Sequence, residues 1–423
     1  MNINRKTFLR NLGLGLAGAG ATRALAQQGD LPTFVASNPR PFWAEIRRGY
    51  DIEPGFRYLN SGGLGPCSRA VKAYATQIES ELEARVETGH DLLAEARIEV
   101  AKFLGAAANE VAFVRNATEA NGIIAGGIEL KPGDEVIFES HAHPGGSFPW
   151  FLQAEKRGVK IRLFEPDPES ISGNIARIEK LITLRTRAVQ VSHITAPTGI
   201  LLPVRGIAAL CKSKGLWFHV DGAQSAGMVP IDFAAMGCDS YATSGHKWVG
   251  APRETGVLLV KYRRQDDVKS VMVGAYSAGL ETLPGQLDYY PGAMRFEYGT
   301  RDVPRIMGMA EAMRVQEVMG RDRIAEHGRA LVAHLREGLE KIPSIEVLSP
   351  RHPELGTSML SFRTPRLGYR EIFSTLVSDY GLRCRPVSEQ GLDAVRVSCH
   401  IFNTVDDIDH LIHAIEKTVA SAA

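Results

Sequence analysis

Residues 188–252 constrain the fold most. They hold two short apolar runs, 188–194 and 216–221, rich in β-branched and aromatic residues. Each run closes on polar side chains, Ser192 and His193 in the first and Asp221 in the second. Runs of this length and composition form strands buried on both faces. The strand candidates are 111–115, 135–139, 160–164, 188–194, 217–220, 240–243 and 256–261, with helical stretches between several of them. That alternation predicts an α/β domain on a mainly parallel, seven-stranded sheet, with ligands held at the carboxyl ends of the strands.

Two residues of the central stretch carry chemistry. Lys247 stands in Ser244-Gly245-His246-Lys247-Trp248-Val249-Gly250-Ala251-Pro252, outside any charged run, and the nearby Gly and Pro predict a tight loop. A lysine held in a dry pocket has a lowered pKa and attacks carbonyls. Asp221 ends a buried strand, where an unpaired carboxylate is costly. A protonated pyridine nitrogen would pair with it, and that pairing keeps pyridoxal phosphate (PLP) an electron sink.

Asp221, Gln224 and the Ser244-x-His246-Lys247 group resemble the class V aminotransferase family of fold-type I PLP enzymes, which includes cysteine desulfurases and isopenicillin N epimerase-like proteins. The resemblance runs from about residue 58 to 415. It implies the type I PLP-dependent transferase fold, a large domain on the seven-stranded sheet plus a smaller α+β C-terminal domain. It also implies that Lys247 holds PLP as a Schiff base, that Asp221 pairs with the pyridine nitrogen, and that Gln224 hydrogen-bonds the ring oxygen. Ser244 and His246 would help bind the phosphate.

Other segments extend the resemblance. Arg115-Asn116-Ala117-Thr118 follows a strand and opens a helix, whose free N–H groups and dipole suit a phosphate. Thr118 matches the family's phosphate-binding Thr, and Ala117 offers only its amide. In Glu139-Ser140-His141-Ala142-His143 the resemblance selects His141 over His143 as the ring-stacking catalytic residue. Asn60 lies in the glycine loop 58–66, which matches a segment near the family's substrate entrance. Arg396, in Val395-Arg396-Val397-Ser398, matches the Arg that grips the substrate carboxylate, a task suited to a two-point guanidinium fork. Arg385 matches a second Arg. Thr300, after Gly299, matches a Thr that reaches the phosphate of the neighbouring subunit, which implies a homodimer with shared active sites.

The function expected is a PLP enzyme acting on an amino acid or amino-acylated small molecule, of aminotransferase or epimerase type, with Lys247 moving the Cα proton. A C–S lyase or desulfurase is the first alternative. Desulfurases carry a nucleophilic Cys about five residues after the position of Arg385. Pro386-Val387-Ser388-Glu389-Gln390 has none, and Cys384 precedes the Arg. Ala196 also stands where desulfurase-like members usually carry Asn. The second alternative, a non-catalytic PLP-fold binding protein, would be favoured by loss of Lys247 or Asp221, and both are present.

The 423 residues fit one large and one small domain. The net charge of +1, without a basic stripe, argues against a nucleic-acid or membrane-surface partner. Five scattered cysteines indicate neither a disulfide framework nor a metal site. Residues 1–26 read as a signal peptide: Arg5, Lys6 and Arg10, a short Gly/Ala-rich apolar run, then Ala24-Leu25-Ala26. The run is too short for a stable membrane span. Arg5-Lys6-Thr7-Phe8-Leu9 resembles the twin-arginine motif with Lys for the second Arg, which predicts export to the periplasm by that machinery, with general secretion the other route. The expected divisions are 1–26 signal peptide, 27–57 arm, 58–300 large domain and 301–423 small domain.

Overall fold

Strands that are apolar on both faces must be covered on both faces. The computed structural model describes residues 33–279 and 285–421, so the expected signal peptide lies outside the described residues. The large sheet holds β1 (Val111–Val114), β2 (Glu135–Glu139), β3 (Lys160–Phe164), β4 (Thr186–Ser192), β5 (Trp217–Asp221), β6 (Ser240–Ser244) and β7 (Gly256–Val260). Their order is β1-β7-β6-β5-β4-β2-β3. All neighbours are parallel except at β7, which runs antiparallel to both β1 and β6. All seven expected runs are therefore strands of one mainly parallel sheet.

Successive side chains along each strand point to opposite faces. Val257 and Leu259 accordingly join one apolar cluster with Val189, Val191, Phe218 and Val220. Leu258 and Val260 join the other with Val136, Phe138 and Trp217. Helices cover both faces. Helix α1 (Arg69–Arg85) is capped by Ser68, whose Oγ accepts from the Val71 amide. Helix α2 (Ala117–Gly127) is capped by Asn116, and α3 (Pro144–Arg157) by His143.

A second sheet, β8 (Glu346–Val347), β9 (Met359–Arg363), β10 (Arg385–Val387) and β11 (Ala394–Ser398), is antiparallel in the order β8-β9-β11-β10. Its own core takes Leu335, Phe362, Val397 and Leu411. The apolar clusters divide the chain differently from the boundaries expected at 58 and 301. Leu59 belongs to the small core, and Arg57–Tyr58 pair in parallel with Leu382 and Arg383. The helix α4 (Val303–Met319) puts Val303, Met307, Met309 and Met313 into the large core. An apolar stripe shows that a helix is buried, not against which partner. Among the described residues no helix is long and apolar enough to cross a membrane.

Candidate active site

The carboxyl ends of β5 and β6, the start of α2, the start of α3 and the β10–β11 pair enclose a cavity of about 300 Å³. Nine of the expected residues line it: Ala117, Thr118, Asp221, Gln224, Ser244, His246, Lys247, Arg385 and Arg396. They come from segments far apart in the chain. Parallel strands bring their carboxyl ends to one edge of the sheet, and the small sheet closes over that edge.

Lys247 sits in a turn directly after β6. Burial strips water from its ammonium, and Arg396 and Arg385 disfavour the charge further. Asp221 opposes them, and the pKa comes down to about 8 from the usual 10.5. The 62–66 loop closes over this turn: the Gly65 amide donates to the His246 carbonyl at 2.7 Å. A Cβ on Gly65 would lie 1.7 Å from the Lys247 carbonyl oxygen. This glycine therefore serves close approach to the lysine turn itself.

Asp221 is the last residue of β5. Its Oδ1 accepts from the Ala223 amide at 3.0 Å and its Oδ2 from Asn121 Nδ2 at 2.9 Å. The Gln224 carboxamide is held at both ends. Trp248 Nε1 donates to its Oε1 at 2.8 Å, and its Nε2 donates to the Gly62 carbonyl at 2.9 Å, which leaves one Nε2 hydrogen over. At the amino end of α2, the Ala117 amide donates to Ser244 Oγ at 2.9 Å. The amide reserved for phosphate in the sequence reading is thus engaged by Ser244. Thr118 faces the start of α3, where a Cβ on Gly145 would lie 2.4 Å from Thr118 Oγ1. His246 Nδ1 is buried without a hydrogen-bond partner among the described residues.

One expectation is corrected. His141 does not line the cavity. Its Nδ1 lies 3.0 Å from Thr198 Oγ1 and its Nε2 3.0 Å from Glu165 Oε1. The cavity is lined instead by His143, whose Nδ1 accepts from the Gly145 amide at 3.0 Å. His143 is exposed at the cavity wall, and partial desolvation of its ring there, then the Lys247 charge, lower its pKa, while Asp221 opposes them. The chain turns after β2, with the Ala142 amide donating to the Glu139 carbonyl, and the residue one step later faces the sheet edge. The signal was present: Pro144 marks the first position of a helix, which makes His143 its cap.

Arg396 is 1% exposed. It donates to the Ala196 carbonyl at 2.7 Å and to Asn60 Oδ1 at 3.0 Å, while its Nε has no partner among the described residues. Burial, then the neighbouring Arg385, brings its pKa down to about 9. Asn60 holds Arg396 rather than lining the cavity. Arg385 stands opposite Arg396 in the β10–β11 register and is ion-paired to Glu389. Thr300 is exposed and outside the cavity. Its turn is tied to β1 by the buried Glu297, which accepts from Arg97 at 2.7 Å and from the Phe113 amide at 2.8 Å.

Residues 66–411 match the profile of the aminotransferase class-V family. The chain belongs to this family. It is 28% identical over 399 residues to the isopenicillin N epimerase of Amycolatopsis lactamdurans, covering 89% of this chain and 98% of that protein. It is 27% identical over 394 residues to a probable cysteine desulfurase of Methanothermobacter thermautotrophicus, covering 88% and 97%. Among solved structures, a C-DES mutant with glycine covalently linked to its PLP cofactor superposes with a TM-score of 0.80 at 25% identity, covering 88% of this chain and 98% of that one.

This class V chain is accordingly a PLP-dependent enzyme of the type I fold. Its own cavity fits the cofactor. The set comprises an amine of lowered pKa, a carboxylate at a strand end, and hydroxyl and imidazole groups gathered at a helix amino terminus. The unpartnered His246 Nδ1 adds a free polar atom at the end that suits a phosphate. Asn121, His143 and Trp248 are the residues the sequence reading passed over.

Proposed function

We propose that this chain is an exported PLP enzyme that acts on an amino acid or amino-acylated small molecule with a free carboxylate, by transamination or epimerisation. The observation that carries this reading is one cavity holding both the perturbed Lys247 amine and the buried Arg396 guanidinium. When bound, PLP supplies a sink for the electron pair left at the substrate Cα. Lys247 would hold the cofactor covalently, and its freed amine would take and return the Cα proton. Asp221 would pair with the ring nitrogen, His143 would support the ring, and the remaining Gln224 N–H would serve the ring oxygen. Thr118, Ser244 and His246 would bind the phosphate at the α2 terminus. Arg396, oriented by Asn60, grips the carboxylate.

Persulfide chemistry is disfavoured on two counts. Cys384 is buried and its thiol is pushed up to about 12. The segment after Arg385 carries Glu389, which ion-pairs with that arginine, in place of a thiol.

Thr300 supports a homodimer with shared sites, because it is exposed while the cavity of its own chain lacks it. Val271, Met272, Val273 and Tyr276 are exposed apolar side chains beside this turn, with Gly274 against Gly299. Residues 1–26 would direct the folded, cofactor-loaded chain to the periplasm by the twin-arginine route.

The test is a screen of amino compounds against the yellow holoenzyme by absorbance, followed by product analysis. A keto acid would mean transamination, a D-isomer epimerisation, and released sulfide a C–S lyase. If no amine with a free carboxylate altered the spectrum, the substrate reading would be withdrawn. Arg396→Lys should weaken carboxylate-bearing amines about as much as Arg396→Ala, by roughly one to two decades, because an ammonium lacks the two-point fork. Amines without a carboxylate should be spared.

A further inference from the structure

Behind Asp221 a line of buried polar side chains runs into the protein. Asn121 Nδ2 lies 2.9 Å from Asp221 Oδ2 and 3.2 Å from the Gly145 carbonyl oxygen. Asn121 Oδ1 lies 2.8 Å from His219 Nε2, and His219 Nδ1 lies 2.8 Å from Ser240 Oγ. Ser240 Oγ in turn lies 3.2 Å from Trp217 Nε1. Asn121, His219 and Ser240 are all 0% exposed.

The direction of every bond in this line follows from its two ends. An indole N–H only donates, and a carboxylate and a carbonyl only accept. The Asn121 nitrogen must therefore face Asp221 and Gly145, which turns its oxygen to His219. His219 Nε2 must then carry the proton. Its Nδ1 accepts from the Ser240 hydroxyl, whose oxygen accepts from Trp217. Burial keeps His219 neutral, with its pKa down at about 3.

We propose that Asn121, His219 and Ser240 are positioning residues that hold Asp221 as an oriented carboxylate for the ring nitrogen of the cofactor. The inference rests on the role given to Asp221 above. β5 is otherwise a strand of apolar side chains up to that residue, and a buried polar group costs stability unless it is satisfied. A line of three such groups that ends on one Asp221 oxygen, with every proton directed toward it, orients that oxygen. The line leaves no alternative tautomer or amide flip that keeps all its bonds, so the carboxylate has one orientation. The other titratable groups acting on Asp221 are Lys247, Glu139, His143 and Tyr241, and the variants below leave them in place.

The experiment compares Asn121→Leu, His219→Leu and His219→Gln with the wild-type holoenzyme. The absorbance of bound PLP is titrated against pH, and the PLP dissociation constant is measured beside it. A Gln side chain can still donate from the position of His219 Nε2. The two Leu variants should displace the pH midpoint by about one unit, and the Gln variant should restore most of it. Unmoved midpoints in both Leu variants, or equal displacement in the Gln variant, would overturn the proposal. A measurement on wild type needs no variant to fold: with ¹⁵N-labelled histidine, His219 should hold the Nε2–H tautomer between about pH 5 and 9. A protonated Nδ1 there would also overturn it. Asp221→Asn separates the two levels. A moved midpoint in that variant with unmoved Leu variants sinks only the positioning role, whereas an unmoved midpoint in Asp221→Asn itself sinks the Asp221 assignment.

Discussion

Lys247 gives the most direct quantitative test. In the apoprotein its amine should titrate near pH 8, where an ordinary lysine titrates at 10.5. A displacement of about 2.5 units raises the neutral fraction at pH 7 from roughly 0.03% to roughly 10%, about 300-fold. The causes can be dissected one at a time. Burial dominates, Arg396 and Arg385 add to it, and Asp221 opposes. Arg396→Gln should therefore move the midpoint up, and Asp221→Asn should move it down. The assay is the rate of PLP uptake by apoprotein against pH, referred to free acetyl-lysine to remove titration of PLP itself. Borohydride reduction and peptide mapping then locate the bond. The linkage has a definite sign. The folded amine binds its proton more weakly than the unfolded one, so between pH 8 and 10.5 the unfolded chain carries more protons and stability rises with pH, by about 3 kcal/mol in all. Below pH 8 this contribution is flat. An uptake midpoint at the ordinary lysine value, or a label on another lysine, would refute the reasoning.

Three further outcomes follow from the geometry. His143→Ala should change the absorbance of bound PLP and weaken its binding, while His141→Ala should leave the spectrum as it is; the reverse result would restore His141 to the site. Gly65→Ala should cut PLP affinity at least about tenfold, because the new Cβ meets the Lys247 carbonyl and the turn or the loop must shift; equilibrium dialysis against PLP measures it, and an unchanged constant would show that the loop yields freely. Arg97→Met should cost about 3–5 kcal/mol in urea unfolding, because Glu297 is left as an unpaired buried charge; a loss under about 1 kcal/mol would mean that water reaches the site.

The sequence alone determined the parts of this protein that are local. Strands buried on both faces require unbroken apolar runs, so seven runs marked seven strands. The lysine turn was legible because Gly and Pro flank it, and Asp221 because an acid at the end of such a run is an anomaly. Tertiary structure decided whatever depends on two segments meeting. The chain turn after Glu139 chose His143 over His141 for the cavity. Pairing with residues 382 and 383 tied Arg57–Tyr58 to the C-terminal part of the chain as a separate two-stranded pair, and packing placed Val303–Met319 on the large core. Asn121 and His219 stand 98 residues apart, and each alone is an unremarked polar residue within an element. Only parallel strand ends converging beside a helix amino terminus bring the two together behind Asp221, because periodicity records which face of an element is buried and carries no record of what is buried against it.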